Sequence, residues 1–167
     1  MNSDPPTHKL VINTGPVIAL TLCGTPSWLN NFPHALIAPD EVRREFDQGP
    51  RGAGSVVWPD VIRVESLKTQ LPPKQDRTLD EGEAAVIQLA MDLGIPDVLI
   101  DEQRGRKAAR ANGLRVHGTL WLLREAKEWC LISHVAPLIE QLRLGGYWFD
   151  NKLVEEFLRR CGEWDGP

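Results

Sequence analysis

An α/β chain built on a parallel sheet is expected from two features. Short β-rich apolar runs alternate with stretches of helical periodicity, and the runs are continuously apolar rather than alternating with polar residues. A strand exposed on one side of a sandwich would carry period-two polarity, which these runs lack. The first strand is expected at 9–12, followed by a helical pattern at 17–23. A strand at 35–38 leads into a helix at 40–47. Residues 49–55, glycine-rich and bracketed by Pro50 and Pro59, predict a surface loop, with a short extra strand at 61–64. A second loop at 68–78, holding Pro72 and Pro73, feeds a well-marked helix at 81–93. Then come strand 97–100, helix 103–112, strand 114–116 and helix 119–128. Beyond Gly145 and Gly146, the pattern Leu153, Phe157, Leu158 predicts a terminal helix ending at Gly162.

The 167 residues suit one domain, with residues 1–8 as a flexible N-terminus and 150–167 as a C-terminal helix and tail. A content of 42% hydrophobic and 25% charged residues is that of a globular chain with a real core, which excludes a disordered tail protein. No apolar run approaches the roughly 20 residues that span a bilayer, and the polar opening segment lacks a signal peptide's apolar stretch, so a cytoplasmic location is expected. Cys23, Cys130 and Cys161 are widely spaced and form no CxxC pair, which argues against a disulfide framework or a thiolate zinc site. A net charge of -4 excludes binding of nucleic acid through a broadly basic surface. Any such role needs a local patch or metal ions.

In a right-handed strand-helix-strand unit the helix starts beside the carboxyl end of its strand, and ligands bind along that edge. This rule selects Asn13 and Thr14 after the first strand, Asp101 and Glu102 after the fourth, and residues 117–119 after the fifth. Glu83 heads the apolar series Glu83, Ile87, Ala90, so it points inward from a helix start. Two readings apply to it: a site carboxylate, or half of a capping box with Asp80. Asp101 and Glu102 likewise suit either a site or a helix cap. Carboxylates gathered on one rim repel unless protonated or bridged, and Mg²⁺ or Mn²⁺ would relieve that repulsion. Arg104, Arg106, Lys107 and Arg110 form a basic helix starting at the same rim, either a solvated face or a phosphate-binding field.

There is no GxGxxG, no GxxxxGK followed by Ser or Thr, no nucleophile elbow and no HExxH, so nucleotide-cofactor, NTPase, serine-hydrolase and zinc-protease readings lack their anchors. His8, His34, His117 and His134 show no ligand spacing and are expected on the surface or in packing. The six tryptophans share no single spacing, which favours core packing or oligomer contact over a base-stacking platform.

The segments VINTGPVIAL, IAPDEVRREF, LDEGEAAVIQLA, DVLIDEQRGRKAARANGLRVHGTL and GGYWFD, in this order, resemble the PIN-domain proteins, closest to a VapC-like branch of unknown function predicted to bind nucleic acid. The likeness covers about residues 10–150. It implies a three-layer α/β/α sandwich around a parallel sheet, four acidic positions that gather Mg²⁺ or Mn²⁺, and hydrolysis of RNA. Carried over by position, those four fall on Asn13, Glu45, Glu83 and Asp101, with Glu83, Asp101 and Asn13 as metal ligands and Thr14, Glu102 and Thr119 as auxiliaries. Glu45 follows from the resemblance alone. Asn13 departs from the family's usual Asp: its carbonyl still ligates a hard cation but removes one negative charge.

The expected function is thus a metal-dependent endoribonuclease, the toxin of a toxin–antitoxin pair, with a small antitoxin and a second protomer as partners and the basic helix holding RNA. The rival is a catalytically weak or dead fold serving RNA binding or protein interaction. A phosphotransfer receiver with Asp101 as acceptor ranks last, because no supporting lysine or threonine arrangement accompanies it.

Overall fold

The computed structural model describes residues 8–24, 27–49, 57–72, 78–164 and 166. The chain runs through β1 (His8–Ile12), α1 (Thr14–Leu22), a 3₁₀ turn at Ser27–Asn31, β2 (His34–Pro39) and α2 (Asp40–Gln48). It continues with β3 (Arg63–Glu65), α3 (Glu81–Leu93), β4 (Asp97–Leu99), α4 (Gln103–Ala111) and β5 (Arg115–His117). Three helices close it: α5 (Thr119–Glu128), α6 (Ala136–Leu144) and α7 (Asn151–Arg160).

The five strands make one sheet in the order β3-β2-β1-β4-β5, and every neighbouring pair is parallel. Among the described residues seven helices flank it, giving the expected α/β/α sandwich. In the centre, Leu10 pairs with Leu36 on one side and with Asp97 on the other. Leu10 to Ile12, Leu36 to Ala38, Val98 and Leu99 are all at most 2% exposed. A central parallel strand is covered on both faces, which is why its sequence is continuously apolar.

Helix α3 is bounded by local chemistry. Asp80 accepts the Glu83 N–H through Oδ1 at 2.7 Å, and Gly94 ends the helix in the left-handed conformation at φ 65°. The capping box is only half formed, because the Glu83 side chain bonds elsewhere. Helix α1 begins at Thr14, three residues before its expected start at Val17, with Asn13 as its N-cap and Pro16 tolerated in the first turn.

Helix α6 falls outside the helices that the sequence patterns predict. Its N-cap is Val135, which has no side-chain acceptor to offer. The acceptor comes from Glu163 in the C-terminal tail, whose carboxylate takes the N–H groups of Val135 and Ala136 at 2.8–2.9 Å. Of the expected loops, 50–55 and 73–77 lie outside the described residues, as do residues 1–7 of the N-terminus.

Candidate active site

The strand order changes direction at β1, whose neighbours are β2 on one side and β4 on the other. A crevice opens at the carboxyl ends of strands where such a switch occurs. Asn13 follows β1 directly, and its N–H donates to the Leu99 carbonyl of β4 at 2.9 Å, which ties the two strand ends together. Asp101 comes two residues after β4, and Thr119 opens α5 just after β5.

Asn13 is 6% exposed, and its Oδ1 is buried without a hydrogen-bond partner among the described residues. An orphaned buried carbonyl costs free energy unless something supplies the missing contact, and a cation is one group able to supply it. Beside it, Glu45 belongs to an exposed stretch of α2, yet its Oε2 accepts the Thr14 hydroxyl at 2.6 Å. Gly82 explains how the two oxygens approach: a Cβ there would stand 2.5 Å from Glu45 Oε2 and 3.2 Å from Asn13 Oδ1. Any side chain at position 82 would push them apart.

Glu83 is 2% exposed, and its Oε1 accepts the backbone N–H of Gly105, the third residue of α4, at 3.0 Å. Gly105 too is required by close approach, since a Cβ there would lie 2.6 Å from Glu83 Oε1 and 2.9 Å from Ile100 Cγ2. Burial raises the Glu83 carboxyl above the ordinary glutamate value, and repulsion from Asp80 and Glu102 pushes the same way, against the amide hydrogen bond. Among the described acids, oxygens of Asp80, Glu83 and Glu102 converge within 4.8 Å of one another.

Asp101 is held differently. Its Oδ1 takes the Thr119 N–H at 2.8 Å, and its Oδ2 takes the Thr119 and Tyr147 hydroxyls at 2.6 and 2.5 Å. Burial and the adjacent Asp101 carboxylate push the Tyr147 phenol well above its ordinary value, which keeps it a hydrogen-bond donor. Of the expected trio, Asn13 and Asp101 follow neighbouring parallel strands, but the oxygens that converge around Glu83 are those of Asp80 and Glu102, and Asp101 is not in that group. The sequence marks Asp80 only as a cap and gives Tyr147 no role. A lone tyrosine in an otherwise irregular GGYWFD segment was the available signal, since a buried phenol must find a partner.

The basic helix splits. Arg104 Nη2 donates to the Thr78 carbonyl at 2.7 Å, and Lys107 is exposed. Arg106 Nη1 braces the carbonyls of Ile100 and His117 at 2.6 and 3.2 Å. Burial and the neighbouring Arg110 lower its pKa, while Asp101 works in the other direction. His117 turns away from the rim, its Nε2 lying 2.9 Å from Asp97 Oδ1, where Arg115 also pairs.

The residues present suit a hard divalent cation: an all-oxygen donor set, a mutually repelling acid group and an amide oxygen lacking a partner. A parallel α/β/α sandwich with acids clustered at its switch point is a nuclease-type fold. A family model described as a PIN domain matches residues 9–163, and the chain belongs to that family, whose members are generally nucleases. No curated protein and no solved structure matches the chain. Among the described residues, no helix is long and apolar enough to cross a membrane.

Proposed function

We propose that the protein is a Mg²⁺- or Mn²⁺-dependent endoribonuclease acting at this rim. The observation that carries the reading is the unpartnered Asn13 Oδ1, buried next to an acid cluster that repels itself in the absence of a cation. Glu83, Asp101 and Asn13 would hold the ion, with Asp80 and Glu102 adding charge around Glu83 and Glu45 contributing through water. A bound divalent cation supplies charge neutralisation at the phosphoryl oxygens and a lowered water pKa.

The chain's own groups do the rest. Tyr147 and Thr119 fix the Asp101 carboxylate, so it does not reorganise during the reaction. The acid group around Glu83 supplies carboxylate oxygens that would take the proton of the attacking water. Oxygen adds to phosphorus in line, the bond to the leaving ribose oxygen breaks, and the proton passes to that oxygen. Arg106 and Arg110 position the RNA backbone. The cellular setting rests on the family resemblance: a toxin restrained by a small antitoxin, acting as a homodimer. Three free cysteines fit the reducing cytoplasm.

Purified protein incubated with structured RNA in Mn²⁺ is expected to cleave it, and EDTA or Asp101→Ala is expected to stop cleavage. Negligible cleavage by wild type and variant alike removes the enzymatic reading. Asn13 favours one second reading, a nuclease-dead RNA-binding or interaction module, because an amide contributes no charge to the ion. Calorimetric titration with Mn²⁺ separates the two. Strong heat that is lost in the double variant Glu83→Gln, Asp101→Asn counts against the module.

A further inference from the structure

A cleft of about 1020 Å³ opens beside Asp101 and runs between α4, α5 and α7. Trp148 lines it with its side chain in solvent, 81% exposed, and Leu153 beyond it is 52% exposed. The residues either side of Trp148 are anchored. Tyr147 is bonded to Asp101, Phe149 is 9% exposed, and their rings lie 5.1 Å apart. The backbone of Trp148 is thus pinned on both sides while its indole faces out, which makes a rigid platform rather than a loose surface residue.

The charges in the cleft are unevenly neutralised. Arg160 pairs with Glu156, and Arg124 with Glu128. Arg106 bonds only backbone carbonyls, and among the described residues no carboxylate lies within salt-bridge distance of Arg110. Asp101, Glu102, Asp150 and Glu156 line the cleft together with its arginines, and of these arginines Arg110 is the one left exposed with no paired carboxylate among the described residues, with the exposed aromatic surface adjoining it. A phosphate supplies the anion that Arg110 lacks and a base covers the exposed indole, whereas an apolar helix would leave Arg110 unpaired.

We infer that this cleft is the track of single-stranded RNA: a phosphate lies against Arg106 and Arg110, and the base of the nucleotide flanking the scissile bond stacks on Trp148. The assignment deepens the ribonuclease reading and rests on it for the scissile position. Trp148 follows the tyrosine that holds Asp101 and lines the same cleft as that carboxylate, which is why the stacked base is assigned to a nucleotide flanking the scissile bond. Stacking needs an unpaired base, because an A-form duplex hides the faces of its bases. One exposed tryptophan suffices, which is why the lack of a repeating tryptophan spacing in the sequence was no guide.

The test measures binding of a short oligouridine to the full chain in EDTA, which withholds the metal that cleavage needs. Trp148→Ala is expected to weaken it roughly 5- to 150-fold, whereas Trp148→Phe keeps an aromatic face and recovers most of the affinity. Arg110→Gln is expected to weaken binding and lower the slope of log affinity against log salt by about 0.7. The same sequence annealed into a duplex is expected to bind less tightly. Unchanged affinity of Trp148→Ala for the single strand overturns the inference. So does a Trp148→Ala variant that loses self-association in sedimentation while binding the oligonucleotide normally, since the patch is then a contact for a second copy. Cleavage in Mn²⁺, measured separately, distinguishes the two failures. Cleavage that persists in Trp148→Ala with unaltered KM rejects the track and leaves the nuclease standing, while Trp148-dependent binding without cleavage by wild type does the reverse.

Discussion

The Asn13 carbonyl and the Glu83 carboxylate face opposite problems in one crevice: the first lacks a partner and the second has too many like charges nearby. Relieving either changes stability in a predictable direction. Glu83→Gln retains an oxygen for the Gly105 amide and removes the repulsion, so the metal-free variant is expected to melt higher than wild type at neutral pH, by about 1 kcal/mol or a few degrees. It should also lose the stabilisation that Mn²⁺ confers on wild type, which at 100 times Kd amounts to about 2.7 kcal/mol. Asn13→Asp is expected to do the converse. Thermal melts in EDTA should fall by ~1–3 kcal/mol as another charge enters the cluster, while calorimetry shows tighter Mn²⁺ binding. A melt of Asn13→Asp that is unchanged in EDTA would mean that position 13 does not share the field of the acids.

Secondary-structure elements meet at this site through glycines and through one distant cap. Helices α3 and α4 approach so closely at Gly105 that its missing side chain leaves the space for Glu83. Gly105→Ala should destabilise by about 1–3 kcal/mol through overpacking and blunt the Mn²⁺ response in the same melts. Far from the rim, Glu163 joins the C-terminal tail to the start of α6 and bonds Lys127 of α5. Burial alone would raise its pKa, but the Lys127 hydrogen bond and the amides of Val135 and Ala136 outweigh it, and the carboxyl titrates below the ordinary glutamate range. An acid lowered on folding contributes stability above its unfolded pKa and surrenders it as pH falls through the folded value. Glu163→Gln is therefore expected to cost about 1–3 kcal/mol near pH 7, with the gap from wild type closing in acid; denaturant melts across pH measure it. A gap independent of pH would assign the loss to packing instead of charge.

Across the molecule, site and fold share one cause: parallel strands bring chain segments that are remote in sequence to one edge. Asn13, Asp101 and Thr119 were legible because each ends a strand or starts the following helix, and sheet handedness places such positions on one side. Glu83 was legible from helical periodicity. Glu45 was not, for it lies on an exposed stretch of α2, and only Thr14 and the space over Gly82 turn its carboxylate to the rim. Asp80 escaped notice because a capping aspartate looks the same whether or not its second role is in a charge cluster. Helix α6 escaped because its N-terminal amides are satisfied by a residue 27 or 28 positions away.

Order of strands and helices, the doubly covered sheet and the rim's strand-end residues are already written in local patterns, since apolar runs and cap chemistry act over a few residues. Which oxygens converge, which arginine lacks a carboxylate partner and which tryptophans face outward were settled by packing alone. Those outcomes depend on distances between segments that no local preference encodes.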